Sequence, residues 1–197
     1  YDPVLLHRCK SSVSTPTTMQ TTSTTIAPSL TLDCTFEHIN FCNWKSLTTS
    51  TGAFKVLSSY SSNSGIIPSR YMPSFDHTRM TAFGYMAVFY NGDRYIQKAF
   101  LDAKNPFAAT QDICFSFFFY FYASLPSTFS LSVMDQRNSI RNVFSAYGAN
   151  ENRWRPAMFT IQPNGSSFDT LRFQASIASG LIAIDDIHVV AGKCSST

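Results

Sequence analysis

The run Gly180-Leu181-Ile182-Ala183-Ile184-Asp185-Asp186-Ile187-His188-Val189-Val190 decides how the rest of the chain reads. Apolar and β-branched residues fill most positions, the length suits one strand and proline is absent, so it reads as a strand buried on both faces. Two acids interrupt it. Side chains alternate across a strand, so Asp185 and Asp186 are expected on opposite faces, each with its own compensation for the cost of burying a carboxylate. Several hydrogen bonds, an arginine or a cation would supply that compensation. The strand then runs into Cys194, which ties it to a distant part of the chain.

The surrounding composition points the same way. A chain of 197 residues, 44% hydrophobic, with 18 Phe and 9 Tyr against 14% charged residues, has ample material for one core. Aromatic, Ser and Thr residues abound and no stretch shows amphipathic helical spacing, so a nearly all-β fold is expected. The net charge of +3 gives no basic field of the kind that nucleic-acid binding requires. The densest apolar segment, Cys114 to Tyr122, is too short to span a bilayer as a helix and carries Ser and Tyr. The chain opens on Tyr1 without a signal peptide, as a mature chain or a cut-out fragment does.

Cysteines stand at 9, 34, 42, 114 and 194, with no CxxC and no Cys/His cluster at zinc spacing. The Ser/Thr-rich tail and the sequon Asn164-Gly165-Ser166 suit a secreted protein. There, four cysteines would close two bridges and one would be left over. Asn164, between two expected strands, is the expected glycosylation site. Asn40-Phe41-Cys42 is a poor second sequon.

Residues 11–32 are almost wholly Ser, Thr and Pro with isolated apolar residues, and read as an extended, disordered linker. Strands are expected at Leu32 to Glu37, Ala53 to Leu57, Phe83 to Tyr90, Tyr95 to Leu101, Asp112 to Tyr122, Thr128 to Asp135, Asn142 to Tyr147, Ala157 to Gln162 and Leu171 to Ser176, besides the opening run. Asn91-Gly92-Asp93 reads as a hairpin turn. About ten short strands at regular spacing are the signature of a sandwich or barrel, with the aromatic run from Asp112 at its centre.

Cys34-Thr35-Phe36-Glu37, Cys42-Asn43-Trp44, Asp76-His77-Thr78, Gly84-Tyr85-Met86, Cys114 opening an aromatic strand, and Gly180 to Ile187 before Cys194 follow one another in this order. Together they resemble a MAM domain, the extracellular module shared by meprin, neuropilin and receptor protein-tyrosine phosphatase mu, from about Asp33 to Cys194. The resemblance implies an all-β jelly-roll β-sandwich of antiparallel strands, with bridges Cys34 to Cys42 and Cys114 to Cys194. It also implies a role in adhesion or association. Some relatives hold a calcium or sodium ion, which makes Glu37, Asp76, Asp185 and Asp186 the candidate oxygen ligands here. The alternative is that Asp76 caps a turn and that each strand aspartate bonds backbone amides or an arginine such as Arg79 or Arg172.

An enzyme has little to stand on. The chain has two glutamates, Glu37 and Glu151, and four scattered histidines. No nucleophile, base and orienting group recur at a known spacing. Asp185 or Asp186 with Glu37 is the sole candidate pair for glycan hydrolysis. Arg137, Arg141, Arg153 and Arg155 form either a basic surface for sulfated glycan or, as is usual for such a run, a solvated loop. Of two tryptophans, Trp44 belongs beside the small disulfide loop, where it could pack over it. The reading is therefore a non-catalytic extracellular module for protein-protein adhesion, receptor assembly or oligomerisation, with homophilic contact open. Two alternatives stand beside it: a glycan-binding jelly roll, and an accessory domain of a secreted or membrane metalloprotease.

Cys9 is the unpaired cysteine. Asp2 to Ser12 parallels Asp186 to Ser196, an acid followed by apolar residues, a basic residue, a cysteine and serines. Residues 1–10 thus read as the end of a preceding similar domain. Chance similarity, an unrelated upstream domain or a bridge to another chain are the competing readings.

Overall fold

The computed structural model describes residues 32–48, 51–60, 67–93, 95–104, 111–135, 139–148, 150–162 and 168–195. The expectations for Cys9, for residues 1–10, for nearly all of the linker and for Asn164 lie outside them. Among the described residues ten strands form: β1 Trp44–Leu47, β2 Lys55–Ser58, β3 Tyr85–Asn91, β4 Gln97–Ala103, β5 Ile113–Ala123, β6 Thr128–Asp135, β7 Ile140–Tyr147, β8 Asn150–Ile161, β9 Phe168–Ile177 and β10 Gly180–Ala191. They make two five-stranded sheets, β1-β4-β9-β6-β7 and β2-β3-β10-β5-β8. Every pairing is antiparallel.

β10 lies at the middle of the second sheet, between β3 and β5, and is buried on both faces. Ile182 and Ile184 point into the core between the sheets, and Leu181 and Ala183 into a smaller cluster on the outer face. β5 divides in the same way. Phe115, Phe117, Phe119 and Phe121 enter the main core, while Tyr120 and Tyr122 turn outward. The aromatic load fills the space between sheets: Phe129 stacks on Phe173 at 5.6 Å and Phe144 on Phe159 at 5.9 Å, with Phe117 edge-on to Phe173 at 5.0 Å. Such pairs add to the gain from apolar burial alone.

The outer face of the second sheet is covered by the crossing that contains Ile67 and Met72, both packed on Met86, Val88 and Tyr120. This lid of irregular chain is what makes the central strands apolar on both sides. It also carries the Asp76-His77-Thr78 motif onto β10.

Two bridges close as the resemblance implied: Cys34–Cys42, with Cα atoms 5.8 Å apart, and Cys114–Cys194, with Cα atoms 4.7 Å apart. Several local expectations are corrected. Leu32 to Glu37 is not a strand; it makes one bridge, Cys34 to Ile187, because β10 is already paired with β3 only as far as Ile184. Asn91-Gly92-Asp93 is not a hairpin, since β3 and β4 belong to opposite sheets. The Asn91 amide instead donates to Tyr95 O and Ile177 O, both at 2.7 Å, and fixes the crossing. Leu32, assigned to the linker from sequence, is buried, and its carbonyl accepts from Trp44 Nε1 at 2.9 Å. Trp44 opens β1 and sits in the main core against Phe173.

The arginine run is not a loop either. Arg141 lies on β7 and Arg153 and Arg155 on β8, an edge strand that starts seven residues earlier than expected, at Asn150. Arg141 donates to Gln162 O at 2.8 Å, and the Arg155 guanidinium lies 4.6 Å from the Phe119 ring. Arg137 is outside the described residues.

Candidate functional site

Strict alternation would place Asp186 inward after Ile182 and Ile184, in the apolar space between the sheets. The chain avoids this with a β-bulge. Asp185 faces Phe118 and His188 faces Ser116, so β10 spends one more residue than β5. Asp186 takes φ 49°, a left-handed conformation that Asp tolerates better than most residues. The extra residue turns the Asp186 carboxylate out beside that of Asp185 and lets Ile187, 2% exposed, fill the core position. The expectation of one carboxylate per face is therefore wrong. Burying a carboxylate among phenylalanines costs more than a local backbone strain of about 1–3 kcal/mol.

Both carboxyl groups now serve one purpose, which is to hold the crossing segment. Asp185 Oδ2 accepts from the backbone N–H groups of His77 at 2.8 Å and Thr78 at 3.2 Å, and Oδ1 accepts from Asp186 N–H at 2.8 Å. Asp186 Oδ2 meets His77 Nδ1 at 2.5 Å. The His77 ring also stacks on Phe118, centroids 3.4 Å apart. Thr78 Oγ1 lies 2.6 Å from Asp186 Oδ1 and 3.2 Å from Asp185 Oδ1. A hydroxyl has one proton to give. The longer contact is a hydrogen bond only when Asp185 is itself protonated. Burial, reinforced by the Asp186 charge, pushes Asp185 up to about 7 against the three backbone N–H bonds that oppose the shift.

The other two acids have separate partners. Asp76, fully buried, accepts from Arg79 N–H at 2.6 Å and Thr81 N–H at 3.0 Å, closing the turn as the capping alternative had it. Gly84 is required here: a Cβ on it would stand 2.1 Å from Asp76 Cγ. Glu37 accepts from Tyr85 N–H at 3.0 Å and lies 2.6 Å from Arg79 Nε. Arg172, the second arginine considered for the strand acids, instead clamps Asp102 with two bonds of 2.7 Å.

This arrangement bears on two of the candidate chemistries. The oxygens of Asp185, Asp186 and Asp76 are met by N–H and O–H donors, the partners of an anion, whereas a hard cation takes oxygen lone pairs; Glu37 Oε2 faces Arg79 as an ion pair without a hydrogen bond. Among the described residues no group of three or more His, Cys, Asp or Glu is placed to hold a metal ion. The four do not form one cage; only Asp185 and Asp186 share a site. A cation there would have to displace the His77 and Thr78 donors, so melting curves in millimolar calcium and in chelator are expected to coincide. A calcium-dependent rise in Tm that Asp186→Asn removes would contradict this. Glu37 faces Arg79 and the Tyr85 N–H whereas Asp185 and Asp186 face His77 and Thr78, so the pair considered for glycan hydrolysis is engaged with separate partners.

Around this lock the surface is unusually apolar. Ile39, Tyr60, Met80 and Phe83 are each 59–65% exposed, and the Tyr60 and Phe83 rings lie 5.0 Å apart. Ile39 and Met80 sit at positive φ, 57° and 56°, so the turns themselves hold them outward. The Arg79–Glu37 ion pair ties the turn of Ile39 to the loop of Met80 and Phe83. Sequence reasoning did not single out these four. Their signal was apolar residues inside polar loops.

Residues 34–195 match the MAM domain, meprin/A5/mu. The chain belongs to the MAM family. It is thus a non-catalytic extracellular β-sandwich module, of a secreted protein or of a cell-surface ectodomain. No helix of the described residues is long and apolar enough to cross a membrane. The MAM domain shares its fold with TmCBM61 in complex with β-1,4-galactotriose (TM-score 0.54, 15% identity, 80% of this chain and 94% of that one). It is also similar to the CBM22-1–GH10 modules of the Clostridium thermocellum endo-1,4-β-D-xylanase 10B complexed with xylohexaose (TM-score 0.55, 12% identity, 84% and 29%). A third likeness is to the K3 cleaved adhesin domain of Lys-gingipain from Porphyromonas gingivalis (TM-score 0.53, 11% identity, 82% and 99%). At these identities the likeness is one of fold.

Proposed function

We propose that this MAM domain is a protein-contact module that joins extracellular proteins in adhesion, receptor assembly or oligomerisation. The observation that carries the reading is the exposed Tyr60–Phe83 pair, rings 5.0 Å apart, with exposed Met80 and Ile39 on the two loops that the Arg79–Glu37 ion pair joins. Clustered exposed apolar surface marks interaction sites, and a fixed aromatic binds without the ordering cost of a mobile one. An accessory domain of a secreted or membrane metalloprotease would use the same surface.

Beads coated with the domain, mixed with one another and with cells, test this. Phe83→Glu is expected to weaken adhesion at least about tenfold, as loss of an aromatic hot spot does, while leaving Tm unchanged. Adhesion unaffected by Phe83→Glu would overturn the reading.

A glycan is the second reading. It is favoured by the likeness of this fold to proteins solved with galactotriose and xylohexaose.

A further inference from the structure

Beside the contact patch, the described chain opens a cleft of ≈ 360 Å³ between β8 and the segment around Phe75 to Met80. That volume lies in the range of roughly 300–1,000 Å³ that seats small ligands. We propose that this cleft binds a pyranose ring of an uncharged glycan, with Trp154 as its floor. The proposal takes the glycan reading to named residues and shares only Met80 with the contact patch.

Three properties of the cleft favour a sugar. The first is a fixed aromatic wall. Trp154 Nε1 donates to Phe75 O at 2.9 Å, and its ring lies 6.0 Å from Tyr120 and 6.0 Å from His77, so the indole is held at several points. Phe75 and Met80 extend the apolar surface.

The second is a set of directed polar groups. The Tyr120 hydroxyl donates to Asn152 Oδ1 at 2.9 Å, which leaves the two amide protons of Asn152 for a ligand. Burial, with Tyr122 nearby, pushes the Tyr120 hydroxyl up to about 12, so it stays a neutral donor at physiological pH.

The third is charge balance. The polar groups at the rim face partners of the same chain: Arg153 Nε lies 3.0 Å from Glu151 Oε2, which Arg155 Nη1 also approaches at 3.7 Å, and His77 Nδ1 meets Asp186 at 2.5 Å. The cleft therefore offers hydrogen bonds beside an apolar ring face. A pyranose presents the same two surfaces, a C–H face and a rim of hydroxyl groups. An acidic peptide or a sulfated chain would compete with Glu151 for Arg153.

The two tryptophans make the test direct, because Trp44 is fully buried in the core and Trp154 reports on the cleft. The intact chain is titrated with β-1,4-galactotriose, xylohexaose, N-acetyllactosamine and chitotriose, and separately with heparin tetrasaccharide and an oligoglutamate peptide. At least one neutral sugar is expected to change tryptophan emission saturably at millimolar concentration or below. Asn152→Ala, which keeps both fluorophores, is expected to weaken that binding at least about tenfold while the domain still unfolds cooperatively. Phe83→Glu is expected to leave it intact, so failure of the contact reading and failure of the cleft are told apart. The proposal is overturned if no neutral sugar saturates, if binding survives Asn152→Ala, or if only the heparin fragment or the acidic peptide binds.

Discussion

Serine at both Cys114 and Cys194 is expected to lower the unfolding free energy by about 4.5 kcal/mol, from the entropy that a long closed loop removes from the unfolded chain. The bridge spans a sequence separation of 80 residues, against 8 for Cys34–Cys42, whose removal should cost about 2.5 kcal/mol by the same reasoning. A domain of this kind has about 5–15 kcal/mol in total, so the long bridge is a large share and the short one a modest share. The location adds to the effect. Cys114 lies in β5 and Cys194 just beyond β10, so the bridge fastens the two strands that carry both cores. Urea unfolding of the two double-serine variants under non-reducing conditions measures the difference. A larger loss from Cys34→Ser with Cys42→Ser than from the long-bridge variant would contradict it.

Asp185 should make stability depend on pH in a direction opposite to that of an ordinary paired carboxylate. Its carboxyl titrates at about 7 in the fold, against 3.8 for an unperturbed aspartate, because burial and the Asp186 charge both disfavour ionisation. Between those values the native state holds a proton that the unfolded state has released, so stability falls as pH rises. The contribution is fully present below about pH 4 and is lost as pH passes about 7, a change on the order of 4 kcal/mol. Asp185→Asn removes the titration. Its amide can still donate to Thr78 Oγ1 from the Oδ1 position but then leaves Asp186 N–H without an acceptor, a loss of roughly 1–3 kcal/mol. The variant is thus expected to be less stable than the wild type near pH 4 and to gain on it steadily toward pH 8. His77 and Asp186 remain in both proteins, so they largely cancel in the comparison. A constant gap across that range would show that Asp185 is ionised throughout.

The overall fold was legible because it rests on pattern. A run such as Gly180 to Ile187 with no polar interruption but two acids must be central, and a strand such as β5, aromatic on both faces, needs cover on both. The placement of four cysteines carried the bridges through family resemblance. What was not legible depended on single backbone choices. Nothing in Ile184-Asp185-Asp186-Ile187 announces a bulge, yet that one residue converts two opposed carboxylates into a joint clamp. Trp44-Lys45-Ser46-Leu47 is too short and mixed to read as a strand, although Trp44 inserts into the core beside Phe173. Asn91-Gly92-Asp93 has the chemistry of a tight turn, but the amide of Asn91 is engaged across the sandwich by Ile177 O. β8 was shortened in the sequence reading because Asn150 to Arg155 are polar apart from Trp154, as the start of an edge strand often is.

The central claim is that the bulged carboxylate pair on β10 holds the crossing segment of Ile67 to Gly84 in place, and with it the contact patch and the Trp154 cleft. Amide hydrogen exchange on the wild type and on Asp186→Ala tests it most directly. The account predicts faster exchange across the segment from Phe75 to Phe83, where the His77 and Thr78 side-chain bonds are lost, while the amides of β5 and of β10 from Gly180 to Ile184 keep their protection. Unchanged protection from Phe75 to Phe83, or a loss spread evenly over both sheets, would contradict it.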